Sequence, residues 1–447
     1  MSPQEKQQAQ GGKPGAPTAL RPTLVLLLVA GLALAALMMG KPWSQKSAEP
    51  SVVAPAAPVA PGPPPAEASV PARSEATPVP ARLTSQVASA TLPGAGASPA
   101  AAVAVRPEPS PASRQWIATL TQFGTSDLTP EGAAQWKEAL GQLIQGGAGS
   151  VPAIREFLES NKDVRFNTAG AQMLGCASAR EALISALGQI GGPEAVAVLS
   201  QTLQTAAGPR DVALLAVTLE QLEPGVHRME ALAAARQTLA MASAGGLPGV
   251  DVGPLFEMMT RLGGLEVVAD LQQSVGRWGY YAATALAQLP DQAGVPYLTA
   301  MALDERQPSS VRLKAFEGLA QAAQQSPEAR ATLVAQLRSG GIAANWWPYL
   351  APFLGGGQYQ VADSVTTPPP PTNSDVRSIR INSTQENLYI VPGSWNQEQI
   401  AAQNAFLDQL QAAAANNQAA LAAIQQARAD LARRLTLAPN APAAPQQ

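Results

Sequence analysis

The sequence predicts an all-α protein: an α-solenoid preceded by a single transmembrane helix and a disordered Pro/Ala-rich linker, and followed by a long C-terminal helix. Three observations carry that expectation. Residues 181–203, EALISALGQIGGPEAVAVLSQTL, hold two apolar faces at helical spacing around a Gly-Gly-Pro turn. That turn recurs through the middle of the chain, and Leu24 to Gly40 runs without a single charge.

In the 181–203 stretch, Leu183, Leu187 and Ile190 share one helical face, Gly191-Gly192 ends it, and Pro193 suits the first turn of a second helix bearing Ala195, Val198 and Leu199. Two short helices joined this tightly cannot bury both faces alone, so copies must stack beside them. The turn returns at Glu223-Pro224-Gly225, Gly263-Gly264, Pro290-Asp291 and near Ala322. Leu187, Leu219, Met259, Leu286 and Leu319 hold the matching position before each turn, at spacings of 32, 40, 27 and 33 residues. The Gly/Pro-rich stretch from Ala242 to Gly253 accounts for the long interval.

The run Leu187-Gly188-Gln189-Ile190-Gly191-Gly192-Pro193-Glu194-Ala195-Val196, with Leu199 after it, resembles a HEAT repeat of the short, phycobilisome-lyase-like type. The likeness extends over roughly Val151 to Leu354 and is best at 181–203. It implies a solenoid whose concave surface binds other proteins, enzymes being a minority of the family. No catalytic residue carries over, because the motif is structural. A generic helix bundle is the alternative fold, and a lyase-like enzyme acting on a protein-bound substrate is the alternative function.

Residues 1–22 are polar, with Lys6, Lys13 and Arg21, and too hydrophilic to fold. Residues 23–43 read as a signal-anchor helix: the 17 residues from Leu24 to Gly40 would span about 26 Å against a hydrocarbon core of about 30 Å. Thr23 and Pro42 extend the run, and Trp43 suits the interface. Ala33-Leu34-Ala35 would serve a cleaved signal peptide instead, and a buried core helix is the third reading. Three basic residues before the run against Lys41 and Lys46 after it keep the N-terminus cytoplasmic and export the bulk, in a bacterial cell the inner membrane and periplasm. Residues 44–112 form a Pro/Ala/Ser-rich linker whose reach, fully extended as polyproline II, is at most about 200 Å.

Residues 113–354 are the expected HEAT-like domain. Ser113 is its first helix cap, Thr129-Pro130 and Pro152 start two further helices of an N-terminal cap, and Trp346, Trp347, Leu350 and Phe353 form its last helix. Residues 355–393, with Pro368 to Pro371, break the pattern and read as an irregular arm or short hairpin. Within it, Val376, Ile379 and Ile381, then Leu388, Ile390 and Val391, are the strand candidates, and Asn382-Ser383-Thr384 fits a glycosylation acceptor. Residues 394–437 read as one long helix opened by a capping box of Ser394 and Gln397. Its heptad seam offers Ile400, Leu407, Leu410, Asn417, Leu421, Ile424 and Leu431 for helix pairing, Asn417 being the polar residue that sets register. Self-association, docking onto the solenoid or another protein, and a lone exposed helix all fit that pattern. Residues 438–447 are a disordered tail.

Composition narrows the function. Net charge is −3 and charged residues are 14% of the chain, so no basic field calls for nucleic acid. The single cysteine, Cys176, and the single histidine, His227, leave no ordinary zinc set and no nucleophile–histidine motif, so no catalytic, metal or cofactor residue is assigned. Two aromatic groups remain: Arg277, Trp278, Tyr280 and Tyr281, and Trp346, Trp347 and Tyr349. Each suits either the core or a partner contact. The expected partners are other proteins, and the membrane through one helix.

Overall fold

The computed structural model describes residues 107–123, 128–370, 376–380 and 386–437. The apolar run Leu24 to Gly40, the linker up to residue 106, the triplet Asn382-Ser383-Thr384 and the tail from 438 lie outside the described residues. Among the described residues no helix is long and apolar enough to cross a membrane.

Seventeen α-helices occupy the described residues. The first four are α1 (Pro111–Thr121), α2 (Pro130–Gln145), α3 (Val151–Glu159) and α4 (Thr168–Leu174). Polar caps set the starts of three of them: Ser110 accepts from the Ser113 amide, Thr129 from Gly132 and Asn167 from Gly170. The first cap is therefore Ser110, not Ser113, because Pro111 takes the first helical position where its missing N–H costs nothing. The helix α4 is closed by Gly175 in the left-handed region at φ 77°.

The repeat follows as α5 (Ala179–Ile190), α6 (Gly192–Thr205), α7 (Pro209–Leu222), α8 (Arg228–Ser243), α9 (Gly253–Leu262), α10 (Val268–Ser274), α11 (Gly279–Gln288), α12 (Val295–Leu303), α13 (Ser309–Ala322), α14 (Pro327–Ser339) and α15 (Trp347–Leu354). One row is continuous: α2 packs on α5, and then α7, α9, α11, α13 and α15 each pack on the one before. The second row is α3, α6, α8, then α12 and α14, with the short α10 tied to α8 by an Arg236–Asp270 ion pair at 2.9 Å. Close approach within the first row explains the Leu-Gly of the motif. A Cβ on Gly188 would lie 2.7 Å from Thr218 Cγ2 of α7, so only glycine lets α5 and α7 meet this closely.

Residues 355–393 form more than a hairpin. The strands β1 (Gly357–Val361), β2 (Arg377–Arg380) and β3 (Asn387–Pro392) make an antiparallel sheet in the order β1-β3-β2, with Tyr359 and Arg377 both opposite Ile390. The glycines at the start of β1 hide it from a sequence reading based on β-branched runs.

The expected single long helix is two, α16 (Gln397–Ala414) and α17 (Gln418–Leu437). Its start is capped by a box of Asn396 and Gln399 rather than Ser394 and Gln397. Ala415, at φ 43°, breaks the helix, and Asn417 Oδ1 accepts from the Ala420 amide at 3.1 Å. Asn417 is thus a helix cap, not a register residue in a seam. The two helices fold into a hairpin whose α16 packs on α14 and whose α17 packs on α15, so both rows continue beyond the sheet. Ile400, Leu407, Leu410, Ile424 and Leu431 are buried by this packing within one chain, and Leu421 is half-buried. An intermolecular coiled coil through these side chains is corrected accordingly: their apolar surface is already covered.

Candidate functional site

The arm lies along the first row of helices and is held there by polar groups from α7, α9, α11 and α13. At its centre the Tyr359 hydroxyl donates to Glu317 Oε2 of α13 at 3.0 Å, and its ring packs on Phe353 and Tyr280 with centroids 4.6 and 6.0 Å apart. Glu317 is 2% exposed, and burial pushes its carboxyl up to about 7 although Tyr359 and Lys314 both favour the anion. The Tyr359 phenol is raised in turn by burial and by the facing Glu317.

Glutamines seal the outer edge of β1. Gln321 Oε1 accepts from the Tyr359 amide at 2.9 Å, Gln288 Nε2 donates to the Tyr359 carbonyl at 3.0 Å, and Gln324 Nε2 donates to the Gly357 carbonyl at 2.8 Å. Side chains of α11 and the α13 region thus satisfy backbone groups that a further strand would otherwise take.

Before β3, Glu386 accepts from the backbone amides of Tyr280 and Tyr281 at 2.7 and 2.9 Å. Those amides open α11, whose own N-cap residue, Trp278, supplies no side-chain bond. The cap comes from over a hundred residues away in the chain, placing a carboxylate on the positive end of the helix. Tyr281 donates to Asp251 at 2.6 Å and accepts from the Asn387 amide at 2.6 Å, and burial raises the Asp251 carboxyl.

Beyond β1, Arg210 of α7 bridges Asp363 of the arm and Glu181 of α5, the latter at 2.7 Å. Burial works against its charge, but the two carboxylates outweigh it and the guanidinium is held on. Glu257 of α9 accepts from Ser364 Oγ at 2.7 Å, the Val365 amide at 3.2 Å and Thr366 Oγ1. These carboxylates clasp the arm to the helices.

The sequence-level candidates fall mostly inside. Trp278, Tyr281 and Trp347 are buried, Trp346 is 8% exposed against Phe316, and Tyr280 is half-buried against Tyr359. Arg277 lies over the Trp278 ring at 5.1 Å and donates to the Ala242 and Ser243 carbonyls, closing the end of α8. Tyr349, 55% exposed, alone of the seven presents a large aromatic surface. The His227 ring sits between Glu223 at 3.0 Å and Glu230 at 3.1 Å, and these hydrogen bonds raise its pKa against the opposing effect of burial. Burial pushes the Cys176 thiol up to about 12, so it stays protonated at neutral pH. Among the described residues no three His, Cys, Asp or Glu side chains gather as a metal set.

The second row faces outward along its length. Ala197 of α6, Ala233 of α8, Ala269 of α10, Ala300 of α12 and Ala331 of α14 are all exposed, 36, 36, 31 and 31 residues apart. Their exposed helical neighbours include Gln201, Gln237 and Gln272, and the large apolar Met229, Leu265 and Leu303. The position is alanine in five successive units, and three residues before it stands a glutamate in four of them, Glu194, Glu230, Glu266 and Glu328.

Residues 179–205 match the PBS lyase HEAT-like repeat. The chain carries a HEAT-like repeat. The matched unit is the pair α5–α6, and the alternation of two helix rows continues its pattern on both sides. Neither curated proteins nor solved structures give a significant match.

The clasping carboxylates escape a reading for site motifs because each stands alone in the sequence. Glu317 carries one signal, an acid inside the apolar run Ala315-Phe316-Glu317-Gly318-Leu319-Ala320. Glu386 has none, since its partners are backbone amides of a distant helix.

Proposed function

We propose that the chain is a membrane-tethered protein-interaction scaffold of the cell envelope, which presents its HEAT-like rows to partner proteins. One observation carries the reading: the two rows are treated differently. The first is covered by the chain's own sheet and arm, while the second carries a repeated exposed alanine flanked by glutamine and glutamate. Alanines let another backbone approach closely, and the glutamines and glutamates beside them offer hydrogen bonds to a partner. Leu24 to Gly40 supplies the tether, and the Pro-rich linker supplies reach from an inner membrane into a periplasm.

Crosslinking in intact membranes, followed by capture of the full chain, tests this. Ala233→Glu with Ala269→Glu should abolish recovery of the proteins that wild type captures, while far-UV circular dichroism stays the same. Identical recovery from the double variant would refute the second row as the binding face. A reporter fused after Gln447 should be active only on the exported side, and alkaline carbonate should leave the chain in the membrane.

A further inference from the structure

The glutamines that seal β1 are each used at one end only. Gln321 of α13 accepts from the Tyr359 amide through Oε1, and Gln288 of α11 donates to the Tyr359 carbonyl through Nε2. A backbone N–H only donates and a C=O only accepts, so these bonds fix which end of each side chain is oxygen and which is nitrogen. The ends that remain are the Gln321 amide nitrogen and the Gln288 carbonyl oxygen, to which the described residues supply no hydrogen bond. The donor and acceptor of Tyr359 are thus relayed outward by one side chain. Gln324 does the same for the Gly357 carbonyl, donating to it through Nε2 at 2.8 Å and keeping its own carbonyl oxygen.

All three border one cleft of about 390 Å³, between the turns that follow α11 and α13. Gln325 and Gln358 line it too, and Gln292 ties the two turns together by donating from Nε2 to the Gln325 carbonyl at 3.1 Å. Asp291 and Gln292 both take left-handed backbone, at φ 53° and 60°, a cost that residues with a Cβ bear only where their surroundings impose it. Gln321 is 7% exposed, so its spare donor is held in one place before anything binds.

The ligand class follows from this lining. Asp291 is the one charged residue among the described residues around the cleft, so a charged ligand finds little to pair with. No aromatic ring lines it, and a base or sugar has no face to stack on. An extended peptide carries the matching set. Its N–H can donate to the Gln288 or Gln324 oxygen and its C=O accept from the Gln321 nitrogen, as a strand would have done with Tyr359 itself.

We propose that this glutamine cleft binds an extended, uncharged peptide segment of another protein through the segment's backbone. The proposal rests on the scaffold reading for its partner being a protein, and it uses a surface separate from the second row.

Fluorescence anisotropy of a labelled serine–valine hexapeptide, blocked at both ends, with the full chain in detergent provides the test. Binding should saturate and stay insensitive to salt. The depsipeptide analogue, with esters in place of the backbone amides, loses every N–H donor and should bind about tenfold or more weakly. Gln288→Lys keeps a donor for the Tyr359 carbonyl but brings no acceptor, and Gln321→Glu keeps an acceptor for the Tyr359 amide but brings no amide donor. Each should weaken the peptide about tenfold while far-UV circular dichroism stays the same. The depsipeptide needs no variant, so it decides the matter even if Gln321→Glu fails to fold. No binding of the peptide, equal binding of the depsipeptide, or unchanged affinity in Gln288→Lys overturns the inference. Any of these sinks this cleft alone, whereas unchanged capture by the Ala233→Glu, Ala269→Glu chain sinks the second-row reading alone.

Discussion

The Tyr359 hydroxyl and Glu317 carboxylate meet at 3.0 Å inside the seam between sheet and helices, both almost wholly withdrawn from water. A carboxyl so placed, raised from its ordinary 4.5 to about 7, binds more protons folded than unfolded. Its contribution to stability is complete below about pH 4.5 and is lost as pH rises through about 7, a swing of about 3 kcal/mol. Urea unfolding at about pH 5 and about pH 8 should therefore show a steeper fall in wild type than in Glu317→Gln. Asp251 and Asp363 shift in the same direction but are present in both proteins and cancel in the difference. Parallel pH profiles would exclude Glu317 as the titrating group.

Removing the other half of that pair has a different signature. Tyr359→Phe keeps the ring against Phe353 and Tyr280 but leaves Glu317 without its donor. The expected cost is about 1–3 kcal/mol in urea unfolding at neutral pH. A change below about 0.5 kcal/mol would mean that the hydroxyl contributes nothing net.

Glu386 should behave as a helix cap. Glu386→Ala strands the Tyr280 and Tyr281 amides and should cost about 1–2 kcal/mol, whereas Glu386→Gln keeps an acceptor and should cost less. Amide exchange at positions 280 and 281 reads this directly, and unaltered protection in the alanine variant would refute the cap.

How much of this was legible depends on whether an interaction is local. The α5–α6 pair could be read from Leu187 to Val198 because helical period, glycine turn and proline start all lie within a dozen residues. Gly188 is visible in the same run, though its reason, Thr218, lies one repeat away. The hairpin of α16 and α17 reads as one helix in the sequence because Ala414 to Asn417 contains neither glycine nor proline. There the break is set by the helices below, which bury Leu407 and Leu431 only if the chain turns back. Tyr359 and Glu386 are illegible because the helix groups they hydrogen-bond lie 38 or more residues away.

Two helices turned back on the solenoid carry a consequence that an intermolecular seam does not. Leu407 is 0% exposed, so Leu407→Ala should cost about 2–5 kcal/mol of unfolding free energy as a core cavity. Asn417→Ala should cost about 1 kcal/mol through loss of the cap on α17. Both losses should be independent of protein concentration, because the contacts lie within one chain. Unfolding midpoints that rise with concentration in wild type and flatten in Leu407→Ala would instead restore the seam to an interface between copies.

Gly188 offers the sharpest test of the repeat itself. Within a helix interior, alanine normally gains about 0.5–1 kcal/mol over glycine. At Gly188 the added Cβ would stand 2.7 Å from Thr218 Cγ2, forcing α5 and α7 apart. Gly188→Ala should therefore destabilise by about 1–3 kcal/mol. Thr218→Ser removes the clashing methyl and keeps a hydroxyl that can donate to the Leu214 carbonyl, so the pair together should recover much of that loss. A coupling energy near zero in the double-mutant cycle would show that the two residues do not meet, and with it would fall the packing of neighbouring units on which the row depends.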